Sequence, residues 1–420
     1  MNYLTIKTIK EYYPLDWTEA SFKDLFEFEG GLSISRANLS DEGICYLHYG
    51  DIHKSTESFV NVERDYNLIP KYDTTLEEVK EKYLLREGDI VFADASEDYA
   101  GIGKSVVVIN PQELPFISGL HTIVAKDKTN KLDNGYKRFF LTDWNIRKQL
   151  MVMATGISVY GLSKTNLEKI RVVLPPKEEQ QKIASILSTW DKAIELKEKL
   201  IEQKKEQKKG LMQKLLTGEV RLPGFDGEWI KIKISKLIGE INEKSTINNQ
   251  YNVLSVTKNG IVSQNEQFKK QVASENNVGY KVIRKNNLVF STMNLWMGSL
   301  DVLTDYEIGI VSPAYKVFEF NLVNIIPSFA KFYMLSEHMI WLYNVNSEQG
   351  ASIVRRNLDL KALLNTIVKV PSIQEQQAIS KVLIAINKEI KLLENELELF
   401  KQQKQGLMQL LLTGKVRVKV

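Results

Sequence analysis

Several stretches of this chain hold residue types that could do chemistry, and their spacing decides what each can do. Gly101-Ile-Gly103-Lys104-Ser105 ends like a phosphate-binding loop, in which backbone amides and a lysine cradle a nucleotide. That loop needs a glycine five positions before Gly103, where Asp98 stands. It also needs a helix after it, and Ser105–Ile109 reads as a strand. The stretch is therefore a glycine turn, either a plain hairpin turn or one whose amides and Lys104 meet a phosphate. Cys45, His48, Asp51 and His53 are metal-ligand types close together. Ile44–His48, however, alternates like a strand leading into a Gly50-Asp51 turn, which sends Cys45 and His48 to opposite faces. With four histidines in all and no Ser/His/Asp or paired-carboxylate constellation, hydrolysis has no visible carrier. The expectation is a chain with no catalytic residue and no metal site.

What must position any binding residues is a duplication. The run Leu174–Leu222 returns as Val370–Val418 at a constant offset of 196 positions, without a gap. About half of the aligned positions are identical, which makes a duplicated, pseudo-two-fold body. Duplex DNA is the commonest two-fold partner of such bodies.

Each repeated run carries apolar residues in steps of four and three, a heptad seam. In the first copy the seam is Ile183, Leu187, Trp190, Ile194, Ile201, Leu211 and Leu215, with Lys197, Lys204 and Lys208 on the remaining positions. In the second it is Ile379, Leu383, Ile386, Ile390, Leu393, Leu397, Phe400, Leu407 and Leu411, interrupted by Lys404. Pro175 and Pro371 precede the helices, and Glu179 and Glu375 place negative charge on first turns, where the helix dipole favours it. Thr217-Gly218 and Thr413-Gly414 end them, glycine being free to adopt the left-handed cap. Two such helices, with a folded stretch between them, should pair antiparallel.

The stretch ahead of each helix reads as mixed α/β, and the two share a faint skeleton. Arg86–Phe92 matches Arg284–Phe290 as a turn feeding a strand, and Ser118–Val124 matches Ser312–Phe318. Amphipathic helices follow around Lys137–Met153 and Pro327–Tyr343. Then come Gly-x-Ser elements (Gly156–Ser158, Gly350–Ser352), a short helix, and the strands Ile170–Leu174 and Ile367–Val370. Elsewhere the two stretches hardly agree. Matched helices with unmatched globular parts suggest one scaffold reading two different things.

Composition sets the outer bounds. The 420 residues are 43% hydrophobic with a formal charge of +4, enough for two or three domains and compatible with nucleic acid. One cysteine excludes an internal disulfide and fits a reducing compartment. The first residues lack a signal peptide's apolar core, and no run of about 18 apolar residues occurs. A cytoplasmic location is expected.

The residues that recur also carry a resemblance. Glu179–Gln181 with Ile183, and Glu375–Gln377 with Ile379, each follow a strand ending in proline. A long helix and Gly-Leu-Met-Gln-x-Leu-Leu-Thr-Gly come next (Gly210–Gly218; Gly406–Gly414), and after the first copy Leu222–Trp229 leads into the second globular stretch. The chain resembles the specificity subunits of type I restriction–modification systems along its whole length. The match is strong in the helices and pattern-level in the globular parts. The resemblance implies an α/β (α+β) protein of two target-recognition domains related by a pseudo-two-fold and separated by two long antiparallel coiled-coil helices. The domains would be residues 1–175 and 218–371, the helices 176–217 and 372–413, with 414–420 a C-terminal tail. Each domain would read one half of a bipartite, asymmetric double-stranded DNA target. Two methyltransferase subunits and restriction/translocase subunits would join the assembly. The chain itself would be non-catalytic, with S-adenosylmethionine, ATP and Mg bound by the partners.

Guanine is read by Arg or Lys and adenine by Asn or Gln, so basic, amide and aromatic residues in loops are the contact candidates. They are Tyr99, Lys104, Tyr160 and Lys164 in the first domain, and Lys258, Asn259, Asn294, Trp296, Arg355 and Arg356 in the second. Two alternatives remain at this point. One is a specificity module serving a fused restriction–methylation enzyme. The other is a coiled-coil adaptor without a DNA role, which gives no reason for two divergent domains.

Overall fold

The computed structural model describes residues 9–156, 159–257, 260–264, 276–349 and 356–419. Its two repeated runs are single helices, Lys177–Thr217 and Ile373–Leu412. At 1.5 Å per residue each is about 60 Å long. The chain divides into two compact units, one of residues 1–196 with 397–420, the other of residues 197–396. Each unit thus combines a globular part with the start of the helix that follows it and the end of the other helix.

In the first unit a five-stranded sheet runs in the order Phe26–Gly30, Thr122–Asp127, Ile90–Ala93, Ser105–Ile109, Phe59–Asn61. All neighbours are antiparallel except the last pair. A smaller sheet joins Lys71–Tyr72, Ile44–Leu47 and Phe116–Ser118. The strand Arg171–Leu174, which leads into the first long helix, pairs with Thr18–Ser21 near the start of the chain. The second unit repeats this plan with a main sheet one strand smaller. Ile238–Ile241, Tyr315–Phe320, Leu288–Ser291 and Leu300–Val302 form a four-stranded antiparallel sheet. Ile367–Val370 pairs with Ile230–Lys233.

The matched turns have one backbone geometry. In Arg86-Glu-Gly-Asp89 and Arg284-Lys-Asn-Asn287 the third residue is left-handed, Gly88 at φ 80° and Asn286 at φ 71°. Glycine and asparagine are the residues that take this conformation at least cost. The fourth residue closes each turn by accepting from the first residue's amide, Asp89 at 2.9 Å and Asn287 at 2.7 Å.

Two expected elements differ. Each amphipathic stretch is two helices, because a capping side chain restarts the helix within it. Asp143 caps Trp144–Met153 after Asn134–Phe140, and Ser336 caps Glu337–Val345 after Pro327–Tyr333. Past Leu47 the chain forms a short helix, Tyr49–Lys54, rather than a turn. His48 is its cap, Nδ1 accepting from the Gly50 amide at 3.0 Å.

The heptad seam is turned inward. Ile183, Leu187, Ile201, Leu215, Ile379, Leu383, Ile390 and Leu411 are buried, and Trp190, Ile194, Leu211, Ile386, Leu393, Leu397, Phe400 and Leu407 are half-buried. The ends of the seam belong to the globular cores. Ile183, Leu187 and Leu411 pack with Phe22, Phe140 and Leu174 in the first unit. Leu215, Ile379 and Leu383 pack with Phe318, Tyr333 and Val370 in the second. Within the second unit Lys197 bonds Glu396, and one heptad on, Lys204 lies 2.7 Å from Glu389. One partner number rises as the other falls, so the helix segments run antiparallel there. In the first unit Trp190 and Phe400 meet edge to face at 5.6 Å. No helix among the described residues is long and apolar enough to cross a membrane.

Candidate nucleic-acid interface

The sheet places a loop at the same point of each unit. In the first unit the strand Ile90–Ala93 runs into residues 94–104, and in the second Leu288–Ser291 runs into residues 292–299. Each loop is met by the segment that precedes the short helix ahead of the scaffold strand. Tyr160–Gly161 pairs with Ala95–Ser96, the register setting Tyr160 opposite Ser96. The Arg356 amide donates to the Met293 carbonyl at 3.3 Å. Counting back from the helix caps Ser163 and Asp359, Tyr160 and Arg356 occupy the same position. Local capping fixes both segments, since each cap side chain accepts from a helix amide three residues on.

The structure brings sequence-nominated residues together at each of these points. Tyr99 is 55% exposed and its ring meets that of Tyr160 edge to face, centroids 5.6 Å apart. Lys104 turns away from both, its ammonium donating to the His53 carbonyl at 2.6 Å. Lys164 opens the short helix with its amine 3.8 Å from Glu29, half-exposed. In the second unit the Arg356 guanidinium stacks over the Trp296 ring at 4.9 Å and bonds Asn344. A guanidinium over an aromatic face is held there by a cation–π attraction. Asn294 lies in the same loop and carries its backbone bonds, accepting from Met297 and Ser299. The Trp296 indole Nε1 is buried, with no acceptor among the described residues. Lys258, Asn259 and Arg355 lie outside the described residues, as do Ile157, Ser158 and Gly350–Ser352 of the Gly-x-Ser elements.

Sequence reasoning missed several groups beside these loops. The helix Glu337–Val345 packs on the turn Leu295–Met297 and presents Trp341, 57% exposed and stacked with His338 at 6.1 Å. Spacing of three on a helix, His338 to Trp341, was the available signal. Met293 and Met297 are also exposed there. In the first unit Arg147 was missed. Its two terminal nitrogens bond the carbonyls of Ile102 and Ala100 at 2.6 and 2.9 Å, which fixes the loop beside Tyr99. Asp94, at the start of that loop, is pushed up by burial, while His121 at 3.2 Å pulls it back down. Exposed aromatic faces with a guanidinium and loop amides suit stacking and hydrogen bonding to base edges. The two clusters are equivalent in place and unlike in chemistry.

A family model described as a type I restriction modification DNA specificity domain matches residues 14–206. The putative type I restriction enzyme MjaX specificity subunit of Methanocaldococcus jannaschii is 27% identical over 97% of this chain and 95% of its own length. The crystal structure of the HsdS subunit from Thermoanaerobacter tengcongensis aligns over 96% of this chain and 98% of that one, with a TM-score of 0.53 at 15% identity. A chain from a study of the assembly and conformational transition of the type I R-M system aligns over 95% and 97%, with a TM-score of 0.55 at 15% identity. These two likenesses are of fold.

Proposed function

We infer that this chain is a type I restriction–modification DNA specificity subunit and that each unit reads one half of a bipartite duplex target on behalf of partner subunits. One observation carries this reading. Equivalent loops hold Tyr99 with Tyr160 in one unit and Trp296 with Arg356 in the other, on helices related by the repeat. Equal placement supports one task, and unlike side chains support two different sequences.

The chain contributes recognition and no chemistry. Methylation and cleavage fall to the partners, two methyltransferase subunits and the restriction/translocase subunits, which bind S-adenosylmethionine, ATP and Mg. The long helices supply the docking faces. On those faces Leu196 and Leu392, equivalent across the repeat, are 56% and 53% exposed. Such an assembly works in the cytoplasm, where the DNA is.

The test is a chimera in which residues 1–175 come from another family member, assembled with its partners and read out by mapping methylated adenines. One half of the methylated sequence should change while the other stays. A folded chimera with both halves altered would overturn the assignment of one half-site to each unit.

A further inference from the structure

The duplication allows each side chain to be compared with its counterpart, and one basic residue stands out. Counting back from the caps Asp143 and Ser336, Arg138 of Asn134–Phe140 corresponds to Lys331 of Pro327–Tyr333. Lys331 is fully occupied, with Asp301 at 3.1 Å, Thr304 at 2.9 Å and the Val302 carbonyl at 3.3 Å. Arg138 is not. Its nearest carboxylate is Asp191 at 4.0 Å, and Asp191 is already bonded to Lys404. Its Nε is buried without an acceptor among the described residues. The guanidinium lies over the Phe59 ring at 3.8 Å, and the side chain is 17% exposed. A methionine or leucine would fill a site between aromatic rings at lower cost than an underbonded charge. An anionic ligand would give the arginine the acceptors it lacks.

Arg138 borders an open cleft of about 640 Å³ within the first unit. Lys104 and Arg147 line it too, and both donate to carbonyls rather than to carboxylates, so their charges are not cancelled. Of the two acids on the rim, Glu57 is paired with Arg64, while Asp98 accepts from the Gly101 amide and keeps its charge. Hydroxyls of Thr56 and Ser58 also line it. A fourth cation, Lys137, is held by Asp127 at 2.9 Å, so three cations without a close carboxylate face the single charge of Asp98, and the net positive cleft suits an anion. It adjoins Tyr99, one residue before the Ala100–Lys104 turn.

We propose that this cleft seats a phosphate of the DNA backbone beside the first half-site, with Arg138 as its donor, an anchor that the second unit lacks at the equivalent place. The proposal rests on the reading that the chain binds DNA. A backbone contact adds affinity without sequence preference and releases counterions, about 0.9 per phosphate neutralised.

The experiment measures binding of the assembled methyltransferase complex to a duplex carrying the mapped target and to a scrambled duplex, from about 50 to about 200 mM salt. Arg138→Gln should weaken both duplexes by the same factor and flatten the log–log salt slope by about one. Arg138→Lys, which keeps the charge, should keep the slope and shows that the site tolerates substitution. Lys331→Gln should leave the slope unchanged. An unaltered slope in Arg138→Gln, or a loss confined to the target duplex, overturns the proposal. So does a variant that binds DNA normally and loses only thermal stabilisation by inorganic phosphate, which would make the cleft a free-anion site. Absence of DNA binding by the parent complex would instead strike the functional reading itself.

Discussion

Arg417 grips Glu179 with two parallel bonds of 2.7 and 2.8 Å, although 238 residues separate them. The guanidinium also lies over Trp17 at 5.9 Å and reaches Asp16, while the Trp17 indole donates to the same Glu179 at 3.1 Å. The second unit repeats the clasp with Arg221 on Glu375 at 2.5 and 2.6 Å, and Arg221 over Trp229 at 5.9 Å. In each case an arginine just past the end of one helix holds the first turn of the other. The last residues of the chain are thereby part of the first unit. Val418 packs against its core, and Gly414, at φ 68°, sits where any Cβ would strike Pro14.

Removing that clasp should loosen the end of the chain before anything else. Arg417→Met is expected to lower the melting temperature and to open the residues after Gly414 to carboxypeptidase. Glu179→Gln should do the same, and the double variant should be little worse than either single one, as for two members of one bonded pair. Fully additive losses would show that the two residues act separately.

Asp89 carries a pH dependence that its counterpart cannot. Burial pushes its carboxyl up from 3.8 to about 6, against the pull of the Arg86 amide and of Lys126 and Lys137. Between about pH 4 and pH 6 the folded chain therefore holds more protons here than the unfolded chain, and stability falls as pH rises through that window. Asp89→Asn copies Asn287 of the second unit and keeps an acceptor for the Arg86 amide. It should stabilise the protein at neutral pH by on the order of 1–2 kcal/mol. The gain should vanish below about pH 4, which urea unfolding at several pH values would measure. A gain independent of pH would assign the effect to something other than the charge.

Much of this architecture is legible in the sequence because it is periodic. The heptad steps, the prolines before and the glycines after locate both long helices to within about a residue. Tyr99, Tyr160, Trp296 and Arg356 are legible as loop aromatics and bases, and the fold sets each pair in contact. What the sequence hides is long-range pairing. Glu179 and Glu375 look like ordinary first-turn charges, and only the fold shows that Arg417 and Arg221 seek them. Arg138 is hidden for a similar reason, since its lack of acceptors is a fact about neighbours remote in the chain. The helix Tyr49–Lys54 is hidden because its cap is a histidine, whose ring nitrogen does the work usually left to Ser or Asp.

The repeat also exposes a pair that one half has lost. Lys404 bonds Asp191 in the first unit, and the equivalent positions in the second are Lys208 and Asn387. Lys208 is half-buried, and burial pushes its amine down. Restoring the carboxylate with Asn387→Asp should raise stability by about 0.5 kcal/mol. In a unit of this size that is about 1–2 °C in melting temperature. Asp191→Asn should lose a similar amount. If Asn387→Asp proves destabilising at low salt, Lys208 does not face position 387 and the equivalence fails there.

The exposed leucines of the long helices separate assembly from folding. Leu187 and Leu383 are wholly buried in the cores of their units, so a charge at either would unfold the unit and say nothing about partners. Leu196 and Leu392 are exposed, and an aspartate at either costs the isolated chain little, since surface substitutions usually fall within about 0.5 kcal/mol. At the centre of a partner interface the same change removes an apolar anchor and buries an unpaired charge, which costs about 2 kcal/mol or more. Leu196→Asp and Leu392→Asp should therefore melt like the parent chain while each weakens binding of one methyltransferase subunit about thirtyfold or more. Because the two positions are equivalent across the repeat, each single variant should leave a complex with one methyltransferase, and the double variant none. Mass measurement of the assembled complexes reads this directly. Full assembly of the double variant would move the docking faces elsewhere on the helices.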